Sequence, residues 1–366
     1  MARILVLGGA GEMGSVAVDD LRSRTDHEVV VGDVRVDAAE RLGVPAIAVD
    51  VEDPGALRAA MAGFDLVLNA TYMRHNVGVT RAAIDAGIHL VDLGSYYPET
   101  LQQLELGEEA ERAGCRIVPG CGVAPGLSNV LARKGADRLD SVESISVYSY
   151  ITHPLWTSPG IVVTRLDASV GISVVYQDGA LVERPSLADE EVVAFPEPYG
   201  EQRVHLAPHP EAVTLPRYLD VRNVVFKVGY LPEQDLLVRA LLELGFDRDE
   251  PFELEGQAVS PRAFTAAYVG SRGVPPGDRS ANVKQVCVDG VRDGRDIRLI
   301  YDFAVEYEGA SASSRVTGRV AAVAADLVAA GGLLGVHAPE GGLDADAVLA
   351  ALAERGLEVR ERVLAR

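Results

Sequence analysis

The chain opens with the stretch RILVLGGAGEMG at residues 3–14, in which an apolar run leads into a glycine-rich turn. The turn has the pattern G-x-G-x-x-G, formed by Gly9, Gly11 and Gly14, and it predicts a strand, a tight turn and a helix in succession. Gly9 permits the tight turn, Gly11 lets a pyrophosphate approach the backbone, and Gly14 lets the helix pack closely on the strand. Free N–H groups at the helix N-terminus then face the phosphates. The stretch therefore predicts a Rossmann-type dinucleotide-binding site.

The charges that follow the second strand favour NAD over NADP. Asp33 ends that strand nineteen residues after Gly14, where a carboxylate binds the ribose hydroxyls of the adenosine. The same carboxylate repels a 2′-phosphate, whereas Arg35 would neutralise one and keeps NADP open. Glu12 suits the positive end of the helix dipole, but it would repel the pyrophosphate unless its side chain points to solvent. We expect NAD as the cofactor, with NADP as the alternative.

Composition limits the classes of protein to which the chain can belong. A length of 366 residues predicts two domains. The hydrophobic fraction of 48% is large enough to form a core in each of them. A net charge of −20 without a basic cluster argues against nucleic acids and anionic membranes as partners, and no apolar run reaches the length of a membrane span. The three cysteines lack zinc-site spacing, so no metal is expected. The N-terminal apolar run is a strand without a signal-peptide layout, so we expect a cytoplasmic protein.

The first third of the sequence alternates between short apolar strands and helices. Strands are predicted over residues 3–8, 28–33, 46–50, 66–69, 89–93 and 116–118. Because helical segments lie between them, this alternation predicts an α/β fold with a doubly wound parallel (Rossmann) sheet.

After Pro125-Gly126 the pattern changes to longer, alternating strands. A hairpin is predicted from residues 283–291 and 297–308 with Asp293-Gly294 at its turn, and the alternation indicates one buried and one open face. A helix of small residues over 316–330 is expected to return the chain to the first domain.

These patterns predict three segments and a cleft between two domains. The expected segments are a dinucleotide-binding domain at 1–125, an inserted α+β substrate and dimerisation domain with a mixed sheet at 126–315, and a C-terminal segment at 316–366 that returns to the first domain. The open sheet face predicts a homo-oligomer, with a homodimer as the simplest case. The cleft between the domains is the expected reaction site, and a small molecule is the expected partner.

Candidate cofactor-binding residues lie at the carboxyl ends of the predicted parallel strands, where ligands bind in such sheets. Asp50 follows the third strand and would bond to the adenine amino group. The stretch PGCGVAPG at 119–126 has three glycines and two prolines in eight residues, which indicates close approach of backbone to the nicotinamide ring, with a tight interdomain hinge as the alternative. The expected cofactor-binding residues are Gly9, Gly11, Glu12, Met13, Gly14, Asp33, Asp50, Val51, Asn69, Ala70, Gly94, Gly122, Val123 and Pro125.

Several of these segments resemble the saccharopine dehydrogenase-like family. The similarity is carried by Asn69-Ala70, by HLVDLG at 89–94 and by VPGCGVAPG at 118–126, and it reappears in GVHAPE at 335–340. It covers nearly all of the chain, most strongly roughly the first 145 and the last 80 residues. Within the family the chain most resembles the L-lysine 6-dehydrogenases.

The resemblance implies a nicotinamide-dependent oxidoreductase that acts on the C–N bond of an amino acid or amine, either oxidising an amine to an imine or reducing an imine. It places Asp92 and Gly94 beside the reacting carbon. Tyr72 would border the nicotinamide pocket, and His153 carries an imidazole suited to proton transfer. The catalytic candidates are therefore Asp92, Tyr72 and His153. The alternative for Asp92 is an Asx turn, for Tyr72 it is ordinary packing, and for His153 it is a place in a surface loop.

Two departures from the family leave the substrate open. Residues 151–154 read ITHP where saccharopine-type members carry a Gly-Gly-Leu-Pro-like turn, and residues 225–230 contain one lysine but no arginine to bind a substrate carboxylate. These departures argue against a dicarboxylate such as saccharopine as the substrate. Two further hypotheses stand: a carboxynorspermidine-type reductase that condenses an amine with an aldehyde, and a nicotinamide-binding sensor without turnover.

Overall fold

The chain folds into two large sheets surrounded by helices. The computed structural model describes residues 1–94, 96–152, 158–273 and 277–366. The strands in this part of the chain are β1 (Arg3–Leu7), β2 (Glu28–Asp33), β3 (Ala46–Ala48), β4 (Leu66–Asn69), β5 (His89–Asp92), β6 (Arg116–Val118), β7 (Ser141–Ile151), β8 (Ile172–Gln177), β9 (Ala180–Pro185), β10 (Glu191–Ala194), β11 (Glu201–Leu206), β12 (Val221–Tyr230), β13 (Phe252–Leu254), β14 (Gln257–Val259), β15 (Arg279–Arg292), β16 (Arg295–Glu308), β17 (Gly335–Val336) and β18 (Arg360–Ala365). The helices are α1 (Glu12–Arg24), α2 (Val36–Glu40), α3 (Pro54–Met61), α4 (Asn76–Ala86), α5 (Tyr97–Leu104), α6 (Gly107–Arg112), α7 (Leu127–Ala136), α8 (Pro159–Asp167), α9 (Glu211–Tyr218), α10 (Pro232–Glu243), α11 (Pro261–Gly270), α12 (Ala312–Ala330), α13 (Pro339–Gly342) and α14 (Ala345–Ala353), with a short 3-10 turn at Met73–His75.

The first sheet is parallel and has the strand order β3-β2-β1-β4-β5-β6-β17. Its central strands are mainly apolar between their ends because helices cover both faces, and Ile4 to Leu7 of β1 are 0% exposed. The strand order reverses beside β1, which places a crevice at the carboxyl ends of β1 and β4. The predicted doubly wound α/β fold is confirmed.

The second sheet has nine strands and is mixed. Its main path is β10-β11-β12-β7-β15-β16-β18, and β8 joins it beside β12 and pairs with β9. Strands β7 and β12 run parallel, whereas the other neighbours are antiparallel. The predicted hairpin is β15–β16 with Asp293 and Gly294 between the strands; β15 extends beyond both predicted ends, and β16 begins two residues before its predicted start.

The segment from Ser158 to Tyr218 is more ordered than its sequence indicated. The sequence over residues 153–216 is proline-rich and polar with weak periodicity, yet the described part of it forms α8, most of α9 and the strands β8 to β11. For β9 and β10 the reason is exposure, because a strand that buries neither face has no need of alternating apolar residues. In β9 every residue is at least partly exposed, as is all of β10 except Val193.

Helix α12 joins the two halves of the molecule. Ala321 and Ala325 pack in the core of the first sheet, whereas Val316 and Val320 pack in the core of the second. A Cβ atom at Gly318 would lie 2.5 Å from the carbonyl oxygen of Met13, so α12 and α1 approach more closely there than a side chain would allow. The small residues of α12 therefore serve close packing on two sides.

The C-terminal segment contributes to both sheets. Strand β17 pairs in parallel with β6 at the edge of the first sheet. Strand β18, however, pairs with β16 at the edge of the mixed sheet, so the last residues belong to the second sheet. None of the described helices is both long and apolar enough to cross a membrane.

Candidate active site

The first glycine turn is built by Gly8 together with the three motif glycines. The motif assigned the tight turn to Gly9. In the structure the residue with the positive φ, +70°, is Gly8, one position earlier. A Cβ at Gly9 would lie 2.8 Å from the side chain of Val31, and a Cβ at Gly14 would lie 2.3 Å from the carbonyl oxygen of Gly8. Gly9 is thus required for packing on β2, and the predicted packing role of Gly14 is found.

A cavity of about 660 Å³ lies along the carboxyl ends of β1, β4 and β5 and beside the second glycine turn. Predicted cofactor residues that line it are Gly11, Glu12, Met13, Ala70, Gly94, Gly122 and Pro125. Arg35 lines the same cavity, as do Thr164 from α8 and Thr317 from α12. The cavity is therefore formed by both halves of the molecule, as the predicted cleft requires.

Other predicted cofactor residues shape the turns and are not among the described residues that line this cavity. Asp50 is exposed and accepts a hydrogen bond from the Glu52 N–H at 2.9 Å, while Val51 packs against the core of the first sheet. Asn69 is buried, and its amide contacts Asn76 and Thr71. These side chains hold the loops at the ends of β3 and β4 in place.

The carboxylate of Asp33 stabilises the first glycine turn from the end of β2. It is 6% exposed, and it accepts hydrogen bonds from the Ala10 N–H at 3.0 Å and from the Arg35 N–H at 2.9 Å. Asp33 therefore stands directly behind the glycine turn, and the exposed guanidinium of Arg35 lies nearby, with Nε 3.5 Å from the carboxylate.

Glu12 is oriented differently from the sequence-based expectation. Its side chain lines the cavity, and its Oε2 atom is buried without a hydrogen-bond partner among the described residues. The Glu12 side chain therefore does not point to solvent, as it would have to in order to avoid repelling a pyrophosphate. A negative charge stands at the first turn of α1, beside the helix end that would face a phosphate.

The second glycine turn, residues 119–126, could not be built with side chains at its key positions. A Cβ at Gly126 would lie 2.0 Å from the carbonyl oxygen of Gly122, and Gly126 has a φ of +127°. The Gly126 N–H donates to Oδ1 of Asn129 at 2.9 Å, which fixes the start of α7. Val123 is buried and packs in the core, so only part of the turn faces the cavity.

Asp92 ties the two strand ends beside this turn together. Its side chain is 0% exposed and accepts hydrogen bonds from the N–H groups of Gly94 and Gly120, each at 2.8 Å, and from Gln103 at 2.7 Å. Burial raises the pKa of Asp92, and the three donors oppose that rise only in part. This geometry favours a positioning role for Asp92 over direct contact with a substrate.

Tyr72 lies where the first cavity meets a second one of about 830 Å³. Its hydroxyl donates a hydrogen bond to Asp167 at the end of α8, and Asp167 also forms an ion pair with Arg262 of α11. Burial raises the pKa of the Tyr72 phenol, although nearby guanidinium groups of Arg262 and Arg74 oppose the rise. The phenol therefore stays protonated at neutral pH, and it links the two domains across the cleft.

The second cavity carries charges of both signs. Its walls include the carboxylates of Glu99, Asp167 and Asp249 and the guanidinium groups of Arg74 and Arg262. Oε2 of Glu99 is buried without a hydrogen-bond partner in the described part of the chain. Asp167 and Arg262 did not emerge from the sequence, because they lie on short helices without a recognisable motif.

Among the histidines, His153 was the catalytic candidate. His153 lies outside the described residues. His209, in the loop between β11 and α9, lines the first cavity, whereas His205 is buried beside Asp235 outside the described walls of both cavities.

Comparison with family models covers nearly the whole chain. The saccharopine dehydrogenase NADP binding domain matches residues 4–118, and the saccharopine dehydrogenase C-terminal domain matches residues 122–357. The boundary between the two matches falls at the second glycine turn.

Known proteins with similar sequences are enzymes. The chain is 23% identical over 317 residues to the NADP(+)-dependent, L-glutamate-forming saccharopine dehydrogenase of Saccharomyces cerevisiae, and this match covers 77% of the chain and 67% of that protein. It is also 23% identical over 403 residues to the carboxyaminopropylagmatine dehydrogenase of Synechocystis, covering 99% and 98% of the two chains.

Solved structures show the same fold. Apo saccharopine dehydrogenase from Saccharomyces cerevisiae superposes with a TM-score of 0.74 at 18% identity over 100% of both chains. Homospermidine synthase from Legionella pneumophila, solved with NAD, superposes with a TM-score of 0.71 at 11% identity over 99% of this chain and 91% of that one.

Proposed function

The chain belongs to the saccharopine dehydrogenase family, and on that basis we propose that it is an NAD(P)-dependent oxidoreductase that acts on the C–N bond of an amino acid or amine. The observation that carries this proposal is the junction of the two cavities. They share Tyr72, Met73, Tyr96, Pro159 and Gly160, so the proposed cofactor site opens directly into a chamber lined by charges of both signs.

The first cavity fits a dinucleotide. Helix α1 begins at its edge, and the described residues provide no side-chain cap for its first N–H groups, which leaves them available to phosphate oxygens. Gly11 and Met13 would hold the pyrophosphate, Asp33 and Arg35 lie at the adenosine end, and Gly122 with its neighbours lies at the nicotinamide end. When bound, the nicotinamide ring supplies the hydride acceptor or donor.

The residues of this chain would orient the substrate and hold protons. The protonated hydroxyl of Tyr72 and the Asp167–Arg262 pair lie at the junction of the cavities, where the reacting carbon of a substrate would lie. Helix α8 covers both cavities through Pro159 and Gly160, which limits access of water. Asp92 holds the strand ends beneath this junction at fixed separation.

The charges of the second cavity support a substrate with both an amine and a carboxylate. Oε2 of Glu99 is buried and has no hydrogen-bond partner among the described residues, so Glu99 would bind an ammonium group. Arg74 and Arg262 would bind a carboxylate. Arginines are thus supplied by other elements, although residues 225–230 of β12 contain none. An amino acid, free or linked to an amine, fits this pattern.

Reductive condensation of an amine with an aldehyde is the second candidate. It is supported by the carboxyaminopropylagmatine dehydrogenase relative, which matches over the full length of both chains, and by the fold shared with a homospermidine synthase. No relative reported above supports the sensor hypothesis, since each is named as an enzyme.

A substrate panel tests the proposal. The change in absorbance of NADH and NADPH is followed with L-lysine, L-ornithine, saccharopine, putrescine and agmatine in the oxidative direction. In the reductive direction, each amine is offered together with aspartate β-semialdehyde. Turnover with at least one substrate is expected, and absence of turnover in both directions across the panel would reject the proposal.

We also propose that the protein acts in the cytoplasm as a homo-oligomer. The three cysteines are free and buried, which is consistent with a reducing compartment. Strand β18 ends the path of the mixed sheet, and its Val363 and Leu364 are 43% and 45% exposed, which offers an edge for a second copy. Light scattering of the purified protein tests the oligomeric state, and a monomer at all concentrations would contradict it.

A further inference from the structure

A histidine between two prolines is held against the cofactor cavity by buried neighbours. The segment Ala207 to Glu211 reads APHPE and connects β11 to α9. The His209 N–H donates to the carbonyl oxygen of Ala207 at 2.8 Å, and prolines on both sides restrict the backbone. The main chain at this position is therefore fixed before any side-chain contact is considered.

The ring of His209 has a fixed plane. It stacks on Phe226 of β12 with the ring centroids 3.6 Å apart and the planes inclined by 6°. Phe226 is only 4% exposed and belongs to the core of the second domain. Rotation of the imidazole out of this plane would break the stack.

Glu211 fixes the orientation of the ring within its plane. Nδ1 of His209 lies 3.2 Å from Oε2 of Glu211, and the other carboxylate oxygen accepts a hydrogen bond from Ser128 at 3.0 Å. Glu211 and Ser128 are both 0% exposed. Since Ser128 is the second residue after the second glycine turn, this carboxylate joins the histidine to the loop expected at the nicotinamide.

The remaining ring nitrogen, Nε2, is free to meet a ligand. With Nδ1 turned toward a buried carboxylate, Nε2 lies at the opposite side of the ring, and it has no hydrogen-bond partner within the described residues. His209 lines the cavity together with Gly122, Ala124 and Thr317, and its side chain is 20% exposed. An imidazole that is oriented by a carboxylate and exposes its second nitrogen is the arrangement of a proton acceptor.

We propose that His209 accepts the proton of the substrate amine and that Glu211 is its positioning residue. The inference deepens the proposed function and rests on it, because an amine must be deprotonated before it can be oxidised. In the proton-transfer step, an N–H bond of the substrate ammonium breaks as a bond between Nε2 and hydrogen forms. The electron pair stays on the amine nitrogen and can form the C=N bond once hydride leaves the adjacent carbon. In the reverse direction, the imidazolium returns the proton.

Kinetics of His209 variants test this role. His209→Gln, which keeps the size and polarity of the side chain, is expected to lower kcat about 100-fold with the substrate found in the panel, in the range typical of general acid–base groups, while KM changes little. In His209→Ala, added imidazole is expected to restore at least a tenth of the lost rate. A merely structural role for the ring predicts no such rescue.

His205 provides the matched control. It is also an imidazole beside a carboxylate, with Nε2 3.4 Å from Asp235, but it is buried and outside the described walls of the cavity. His205→Asn is expected to keep kcat within threefold, and imidazole should not change its rate. If His209→Gln retains kcat while the wild-type enzyme is active, only the assignment of His209 fails. If the wild-type enzyme is inactive across the whole panel, the proposed function fails and this assignment fails with it.

Nitrogen-15 NMR of the histidine rings tests the geometry without turnover. The neutral ring of His209 is expected to carry its proton on Nδ1, because the Glu211 carboxylate accepts it there. Glu211→Gln should shift the ring toward the other tautomer and lower kcat about tenfold. A wild-type ring protonated on Nε2, or one that does not respond to Glu211→Gln, would overturn the positioning role of Glu211.

Discussion

Three aspartates at strand ends show how far individual residues can be assigned from the sequence. Asp33, Asp50 and Asp92 each lie at the end of a short apolar strand, where the sequence predicts contacts of Asp33 and Asp50 with the cofactor and the family resemblance implies a contact of Asp92 with the substrate. In the structure Asp33 lies behind the glycine turn, Asp50 is exposed and binds its own loop, and Asp92 is fully buried between two strand ends. The spacing to the glycine motif distinguishes Asp33 in advance. The other two depend on side-chain direction and on partners distant in sequence, which no local pattern encodes.

Removing the charge of Asp33 is expected to change cofactor preference. In Asp33→Asn the side-chain oxygen can still accept from the Ala10 N–H, but the negative charge that repels a 2′-phosphate is lost, and Arg35 remains beside the site. We expect the Kd for NADPH to fall relative to that for NADH by about tenfold, which corresponds to about 1.4 kcal/mol. Fluorescence titration with both nucleotides measures this ratio.

Asp37→Asn is the control for that experiment. Asp37 is exposed in the first turn of α2, so the variant makes the same change in net charge away from the cavity. Its ratio of Kd values should match the wild type. Equal ratios in Asp33→Asn and in the wild type would show that Asp33 does not discriminate between the nucleotides.

At the scale of elements, the sequence is informative where burial imposes a pattern. The apolar strands β1, β4 and β6 and the hairpin turn at Asp293-Gly294 are found where they were predicted. The strands β9 and β10 were missed because they are mostly exposed. The second glycine turn was recognised from composition alone, but its packing against Leu93 and Gly94 depends on contacts that only the fold provides.

Gly126→Ala is expected to disrupt this turn. The added Cβ would overlap the carbonyl oxygen of Gly122, and the φ of +127° disfavours any side chain. We expect a loss of at least about 2 kcal/mol in the free energy of unfolding, together with weaker NADH binding. Urea denaturation and nucleotide titration measure the two effects.

Gly78→Ala makes the same chemical change in a position with space for it. Gly78 lies in α4 and has no atom within 4 Å of an added Cβ. This variant should be as stable as the wild type or slightly more stable, since alanine favours the helix. A Gly126→Ala protein with wild-type stability would contradict the described geometry of the turn.

At the scale of the whole molecule, long-range contacts unite segments that the sequence treats separately. Glu340, from the GVHAPE segment, is 2% exposed and accepts a hydrogen bond from Asn129 at 3.0 Å, next to the second glycine turn. Burial raises the pKa of Glu340 to about 7. The sequence of this segment resembles that of the family, but the sequence alone does not predict which residues it contacts.

The raised pKa of Glu340 makes stability depend on pH. Between its ordinary value of 4.5 and about 7 the carboxyl group is neutral when folded and ionised when unfolded, so its contribution to stability is complete below 4.5 and is lost as pH rises to about 7. The loss is on the order of 3 kcal/mol. Glu340→Gln should remove this part of the pH dependence, as measured by urea denaturation from pH 5 to 8.

Glu354→Gln tests whether that effect is specific. Glu354 is exposed at the end of α14, and its replacement should leave the pH profile of the wild type unchanged. If Glu340→Gln and the wild type lose the same stability between pH 5 and 7, the buried carboxyl group is not the source of the dependence.

The contact between Tyr72 and Asp167 across the cleft predicts that a variant can weaken substrate binding without weakening NADH binding. Asp167 accepts a hydrogen bond from Tyr72 and pairs with Arg262, so Asp167→Asn would remove the closer of the two carboxylates that Arg262 contacts and loosen the junction. We expect KM for the substrate to rise about tenfold while the Kd for NADH stays within about twofold. Steady-state kinetics and nucleotide titration distinguish this outcome from an equal loss of both affinities, which would contradict the proposed division of the two cavities.

The dual attachment of α12 has a consequence for synthesis on the ribosome. The surface of the first sheet that Ala321 and Ala325 cover, and the edge of β6 that β17 completes, both wait for residues that are translated some two hundred positions later. A nascent chain that has emerged only as far as the second glycine turn would present a bare apolar face and an unpaired strand. We expect such a fragment, expressed by itself, to aggregate or to bind chaperones, and coexpression of the later segment to rescue it.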